Sequence, residues 1–301
     1  MLRNGVMVEP SRKGSPVFPW NDRAGRLSPL KLATFMLVLA PAVWIAWLWA
    51  TQGLGPKPVT EAIHRTGDWT VRLLIATLAI TPLRRIANYP RLILVRRMLG
   101  LAVLGYAVLH LSLYALDLAF DLTRIATEIV LRIYLLIGFT ALVGLVALGT
   151  TSTDAAIRRL GANWHRIHRA IYAIALLALA HYFLQAKLNV TQPVLWSGFF
   201  LLLMGYRLIR RFELPEGPLG LGALAAAAGV ATALIEAGWY AAATGANAAL
   251  VLGANLEFEY EIRPAWYVFA VGLALSLVAL VRRAPAPRQR RRSEALETAR
   301  A

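Results

Sequence analysis

A bilayer crossing needs about 20 consecutive, mainly apolar residues, and this 301-residue sequence supplies eight candidate runs. They lie at 30–50, 69–86, 98–117, 134–148, 167–185, 194–206, 219–239 and 266–281. Lipid offers no hydrogen bonds to an open backbone, so such runs must be helices packed into a bundle. The expected fold class is an all-α polytopic membrane protein. Composition agrees: 58% hydrophobic residues and a mean hydropathy of +0.56 are too apolar for a soluble domain of this length.

The formal charge of +16 would suggest nucleic acid in a soluble protein. Here 25 of the 32 Lys and Arg residues fall in the segments 1–31, 82–97, 150–169, 207–218 and 282–301. These are alternate connections between spans. The positive-inside rule then puts both termini in the cytoplasm, with odd-numbered spans running outward. Acidic residues lean to the other side, as in "EFEYEI" (257–262). The tail "RRAPAPRQRRR" (282–292) reads as a cytoplasmic stop signal beside membrane lipid, with no nucleic acid as partner. The polar stretch 1–27 is not expected to hold a cleavable signal peptide. "GLGALA" (220–225) mimics a dinucleotide fingerprint, but it sits in an Ala-rich span where small residues serve helix packing. No internal repeat is evident.

Cysteine is absent, which excludes disulfides, thiolate chemistry, iron–sulfur clusters and cysteine-bound zinc. Histidine is the remaining strong haem ligand. Three of the five histidines fall in "NWHRIHRAIYAIALLALAHYF" (163–183). Polar groups deep in apolar helices are costly and mark function. His110 follows Arg97 on the third span, and His181 follows Arg169 on the fifth. Each histidine comes roughly three and a half helical turns after its arginine. On outward-running helices both imidazoles sit roughly 18–20 Å above the inner surface. Two imidazoles at matched depth on different spans suit the axial positions of a six-coordinate haem b, an electron-transfer centre.

His168 and His181 share the expected fifth span. On one continuous helix His168 is about 20 Å lower and about 140° around the axis. It cannot share the same iron, but it can serve a second haem, whose partner position on span three holds Arg96 or Arg97. His165 reads as loop. His64, in "IHRTGDW", lies on the outer side, where it can touch a haem propionate or a partner protein.

The stretches "RTGDWTVRLLIATLAITPLRR", "RRMLGLAVLGYAVLHLSLYALD", "TSTDAAIRRLGANWHRIHRAIYAIALLALAHYF" and "YRLIRR" resemble the haem-binding membrane subunit of the bacterial periplasmic methionine sulfoxide reductase system, the MsrQ or YedZ family. That family belongs to the ferric-reductase-like transmembrane group. The resemblance covers roughly residues 28–212. It implies a six-helix haem-binding bundle, here followed by two extra C-terminal helices. The expected organisation is an N-terminal tail at 1–27, the haem domain at 28–212, a two-span extension at 213–282 and a basic tail at 283–301.

The resemblance also implies a role in the inner membrane. Such a subunit carries haem b, one or two per chain, and FMN. Its histidines match His110, His168 and His181. It takes electrons from the quinone pool or a cytoplasmic flavin reductase. It passes them to a periplasmic molybdopterin enzyme that reduces methionine sulfoxide in oxidised proteins, so it is an electron-transfer subunit rather than the catalytic one. Two other roles compete: a stand-alone transmembrane ferric or quinone reductase, and a non-redox transporter or structural membrane protein. Glu236 is the one carboxylate well inside a candidate span, which counts against the transporter.

Overall fold

The computed structural model describes residues 18–22, 24–259 and 261–283. The expected N-terminal tail up to residue 17 and the basic tail from 284 onward lie outside the described residues. Among the described residues, twelve α-helices follow one another: α1 (Pro29–Ala50), α2 (Pro58–Ile86), α3 (Arg96–Asp117), α4 (Leu122–Leu131), α5 (Ile133–Thr150), α6 (Asp154–Leu160), α7 (Ala162–His168), α8 (Ile171–Ala186), α9 (Thr191–Arg211), α10 (Pro218–Thr244), α11 (Ala248–Ala254) and α12 (Pro264–Arg283). A 3-10 turn, Pro90–Val95, leads into α3.

Among the described residues, seven helical stretches are long and apolar enough to cross a membrane. The expected second span is the exception. α2 is helical over 29 residues and begins at Pro58, well before the expected start at 69. Pro58 opens it, where a missing N–H costs nothing, and Glu61 pairs with Arg65 one turn on at 2.7 Å. This polar first half carries Asp68, a second carboxylate within a long helix that the apolar window did not include. Polarity does not keep α2 at the margin. Leu73, Leu74, Ile75 and Leu78 are buried and pack with Val103 of α3, Leu145 of α5 and Leu179 of α8.

Short capped helices make the connections. Asp121 caps α4 by accepting from the Arg124 amide, Thr153 caps α6 through Ala156, and Asn247 caps α11 through Ala249. The expected fifth span is not one helix. α7 ends at His168 and α8 begins at Ile171, so counting residues from His168 to His181 on an ideal wheel does not give their separation or angle.

α1 contains Pro41, which removes one ladder donor and crowds the preceding turn. The Tyr106 hydroxyl of α3 fills the opening beside it. It donates to the Val38 carbonyl at 2.7 Å and accepts from the Ala42 amide at 2.9 Å. These two groups are one helical hydrogen bond apart, so the hydroxyl is inserted into the ladder.

The extension is packed onto α9. A Cβ on Gly198 would lie 2.3 Å from Thr232 Oγ1 and 2.5 Å from Val268, and one on Gly272 would lie 2.6 Å from the Ala225 Cβ. Small residues thus let α10 and α12 approach α9 and each other closely. Glu236 of α10, 1% exposed, accepts from Asn255 Nδ2 at 3.2 Å and pairs with Arg263 at 3.3 Å.

Candidate functional site: a facing pair of histidines

The α2–α3 and α5–α8 helix pairs each bring one histidine to the same place. The His110 and His181 ring centroids stand 6.3 Å apart with planes at 82°. Each ring is held from behind. His110 Nδ1 donates to the Ile63 carbonyl at 2.8 Å, and His181 Nδ1 donates to the Tyr134 carbonyl at 2.7 Å. A carbonyl oxygen only accepts, so both Nδ1 atoms carry the proton. In the neutral ring Nε2 then keeps its lone pair. Neither Nε2 makes a hydrogen bond among the described residues.

The helices carrying those carbonyls are cut away to admit the rings. Within a helix, the side chain four residues after a carbonyl stands over it. At both positions that residue is glycine: Gly67 after Ile63, and Gly138 after Tyr134. A Cβ on Gly67 would lie 3.1 Å from His110 Cε1, and one on Gly138 would lie 2.7 Å from His181 Nδ1. Carbonyl, glycine and histidine each recur at one constant interval: 63 and 134, 67 and 138, 110 and 181. No repeat was evident in the sequence, because the repeated elements are a backbone atom, a missing side chain and one imidazole.

Two metal–imidazole bonds of about 2.0–2.1 Å, with the half-width of each ring, span about 6–6.5 Å between centroids. The pair fits that span. Nδ1–H bonded to a carbonyl is also the usual outer support of a metal-binding histidine. Among the described residues no group of three or more His, Cys, Asp or Glu side chains is placed to hold a metal ion. The pair therefore suits a metal whose remaining ligands come with it, as in a porphyrin.

The other histidines lie elsewhere. His168, at the end of α7, stacks on Trp164 with centroids 3.9 Å apart, and its Nδ1 donates to the Trp164 carbonyl at 3.1 Å. Its Nε2 is 3.4 Å from Ser152 Oγ. Its charged neighbours are Arg96 and His165. His165 is exposed and stands edge-on to Trp164. His64 is exposed on α2, next in sequence to the Ile63 that holds His110.

Sequence reasoning missed the polar contact beside the pair. Asp68 follows Gly67, and Tyr182 follows His181; the Tyr182 hydroxyl donates to Asp68 Oδ1. Arg72 stands 3.7 Å from Asp68 and lies over the Trp69 ring at 5.0 Å. A carboxylate and an arginine one turn apart, entering an apolar run, were the available signal.

Comparison with known proteins follows the same residues. The ferric reductase like transmembrane component family matches residues 66–179. The heme-binding subunit MsrQ of protein-methionine-sulfoxide reductase from Xanthomonas campestris pv. campestris (strain B100) is 46% identical over 190 residues, covering 61% of this chain and 87% of that relative. The chain belongs to the MsrQ family. The MsrQ of Xanthomonas axonopodis pv. citri (strain 306) is 41% identical over 191 residues, 63% of this chain and 85% of its own length. No solved structure matches. The transmembrane family match takes in His110 and His168 and ends just before His181. More than a third of the chain lies beyond each of these MsrQ alignments.

Proposed function

We propose that this chain is the membrane haem b electron-transfer subunit of a methionine sulfoxide reductase system, with His110 and His181 as the axial ligands. The geometry of that pair carries the reading: 6.3 Å between rings, both Nδ1 atoms bound to carbonyls, both Nε2 atoms uncommitted. The heme-binding role in the name of the MsrQ relatives agrees with it.

When bound, the haem supplies a reversible one-electron iron couple. The chain's residues do the rest. Ile63 and Tyr134 fix the two rings in one tautomer. Gly67 and Gly138 make room for them. The α2, α3, α5 and α8 core keeps water from the inner side of the pair. Held by His110 and His181 together, a haem would be suited to electron transfer rather than oxygen binding.

The finer assignments belong to the same reading. The charge distribution favours both termini in the cytoplasm of an inner-membrane protein, and eight long helices return the chain to its starting side. The histidine pair then lies in the outer half of the membrane, near a periplasmic molybdopterin acceptor. Electrons enter from the quinone pool or a cytoplasmic flavin reductase. His168 is the candidate ligand of a second haem in the inner half, and FMN joins on family resemblance. His64 stands on the acceptor side. The bundle to residue 212 holds the haem, and residues 213–282 form the appended unit.

Pyridine haemochrome stoichiometry on purified protein tests the reading. Wild type is expected to bind haem b with a low-spin spectrum. His110→Ala and His181→Ala each lose that centre, and His165→Ala keeps it. A second haem lost in His168→Ala assigns that residue. Wild type that stays colourless with adequate haem supply overturns the proposal.

A further inference from the structure

The inner ends of α2, α3, α8 and α9 gather Arg84, Arg96, Tyr172 and Arg207, with His168 beside them. Arg207 is pinned between helices. Its Nη2 donates to the Leu78 carbonyl at 2.8 Å, Nη1 to the Leu203 carbonyl at 2.9 Å, and Nε to the Tyr172 hydroxyl at 3.2 Å. Every one of those partners is neutral. Arg96 is half-buried in the first turn of α3. The charged groups around it are Arg207 and Arg84, both of its own sign, together with the Tyr172 hydroxyl. His168 in turn faces Arg96.

Neighbouring arginines are treated differently. Arg97, adjacent to Arg96, pairs with Asp154 at 2.6 Å, and Arg210, one turn after Arg207, pairs with Glu216. Among the described residues no carboxylate pairs with Arg84, Arg96 or Arg207. These two exposed cations are neutralised, whereas half-buried Arg96 has the like-charged Arg207 and Arg84 as its charged neighbours. Crowded guanidinium groups at the edge of a low-dielectric interior repel strongly unless an anion sits among them.

The constant interval between the two cradles sharpens the point. It carries His181 onto His110; His168 lies on the separate helix α7, where its charged neighbour on α3 is Arg96. The outer layer has imidazole opposite imidazole. The inner layer has imidazole opposite guanidinium, a donor set for oxyanions rather than for a second axial nitrogen.

We propose that Arg84, Arg96 and Arg207, with the Tyr172 hydroxyl, form a binding site for a phosphate group at the inner face. Two sources carry that chemistry: the headgroup of an anionic phospholipid, and the phosphate of a soluble nucleotide. Basic pockets between membrane helices on the cytoplasmic side bind the former. The site does not depend on the haem assignment.

Native mass spectrometry of the full chain tests it, with phosphatidylglycerol in one arm, adenosine 5′-monophosphate in the other and phosphatidylcholine as background. Wild type is expected to hold one phosphate-bearing molecule above background. Arg96→Gln weakens it roughly tenfold, and Arg96→Lys weakens it less. Arg97→Gln, which loses only an exposed ion pair, stays within about twofold. Arg84→Gln provides a second reading of the site should Arg96→Gln fail to fold. Retention in the lipid arm alone identifies a headgroup; retention of the nucleotide identifies a soluble ligand. Wild type binding neither ligand above background overturns the proposal, as does equal binding by the Arg96→Gln and Arg97→Gln variants.

Discussion

The Tyr182 hydroxyl donates to Asp68 at 2.5 Å, joining the residue after His181 to the residue after Gly67. This one bond spans from the α8 residue beside His181 to the α2 wall that supports His110. Removing the hydroxyl leaves the Asp68 charge with Arg72 alone, 3.7 Å away. Tyr182→Phe is expected to destabilise the protein by about 1.5–3 kcal/mol, the usual range for a hydrogen bond to a charged group. Thermal melts of the haem-loaded protein measure this. An unchanged midpoint would show that the bond does not tie the two helices.

The two glycines are expected to differ in consequence. A methyl group at Gly138 would press directly on His181 Nδ1 at 2.7 Å, whereas at Gly67 it would meet His110 Cε1 at 3.1 Å. Gly138→Ala should displace its imidazole and lower haem content several-fold. Gly67→Ala should retain most haem, with a small spectral shift. Haem-to-protein ratios decide the order, and the reverse order contradicts this account of the cradle.

Glu128 gives a pH dependence outside the membrane spans. It accepts the Tyr114 hydroxyl at 2.7 Å and lies near Arg132 and Arg124. The Tyr114 bond is the main reason its carboxyl lies below the usual range, with both arginines assisting and burial opposing. A depressed folded value stabilises the fold above the unfolded value, about 4.3. That contribution is lost as pH falls through the lower folded value. The protection factors of the α4 amides, which divide out the intrinsic pH dependence of exchange, should therefore fall below about pH 4.3 in wild type. In Glu128→Gln they should be low already at neutral pH and change little on acidification.

The extension can be loosened without touching the histidine pair. Gly198→Val puts a branched side chain where even a Cβ lies 2.3 Å from Thr232. Overpacking of this kind costs typically about 1–3 kcal/mol. Proteolysis in the 212–217 connection should accelerate while the haem spectrum stays intact. Loss of the spectrum would make the extension part of the site rather than an appended unit.

Much of this architecture is legible in the sequence, for a physical reason. Spans declare themselves because lipid forbids polar side chains over a whole run, and His110 and His181 stand out as exceptions within such runs. Their matched depth follows from residue counting from Arg97 and Arg169. What sequence reading lacked was anything encoded by absence or by the backbone. Gly67 and Gly138 look like ordinary small residues until an imidazole is set against them. The carbonyls of Ile63 and Tyr134 have no residue signature at all. α2 begins well before its apolar window because ion pairs, not hydropathy, support its first turns. The break after His168 falls in a sequence whose helical character continues on both sides.

The matched cradles of His110 and His181 bear on how the site withstands air. An electron carrier beside an aerobic compartment wastes its electrons if dioxygen reaches the iron. Leakage of that kind begins where one axial ligand is held less firmly and swings aside. Here a carbonyl brace and a glycine stand behind each ring. Neither side is built as the hinge, so a haem held by this pair would have both its protein nitrogens braced against exchange for dioxygen.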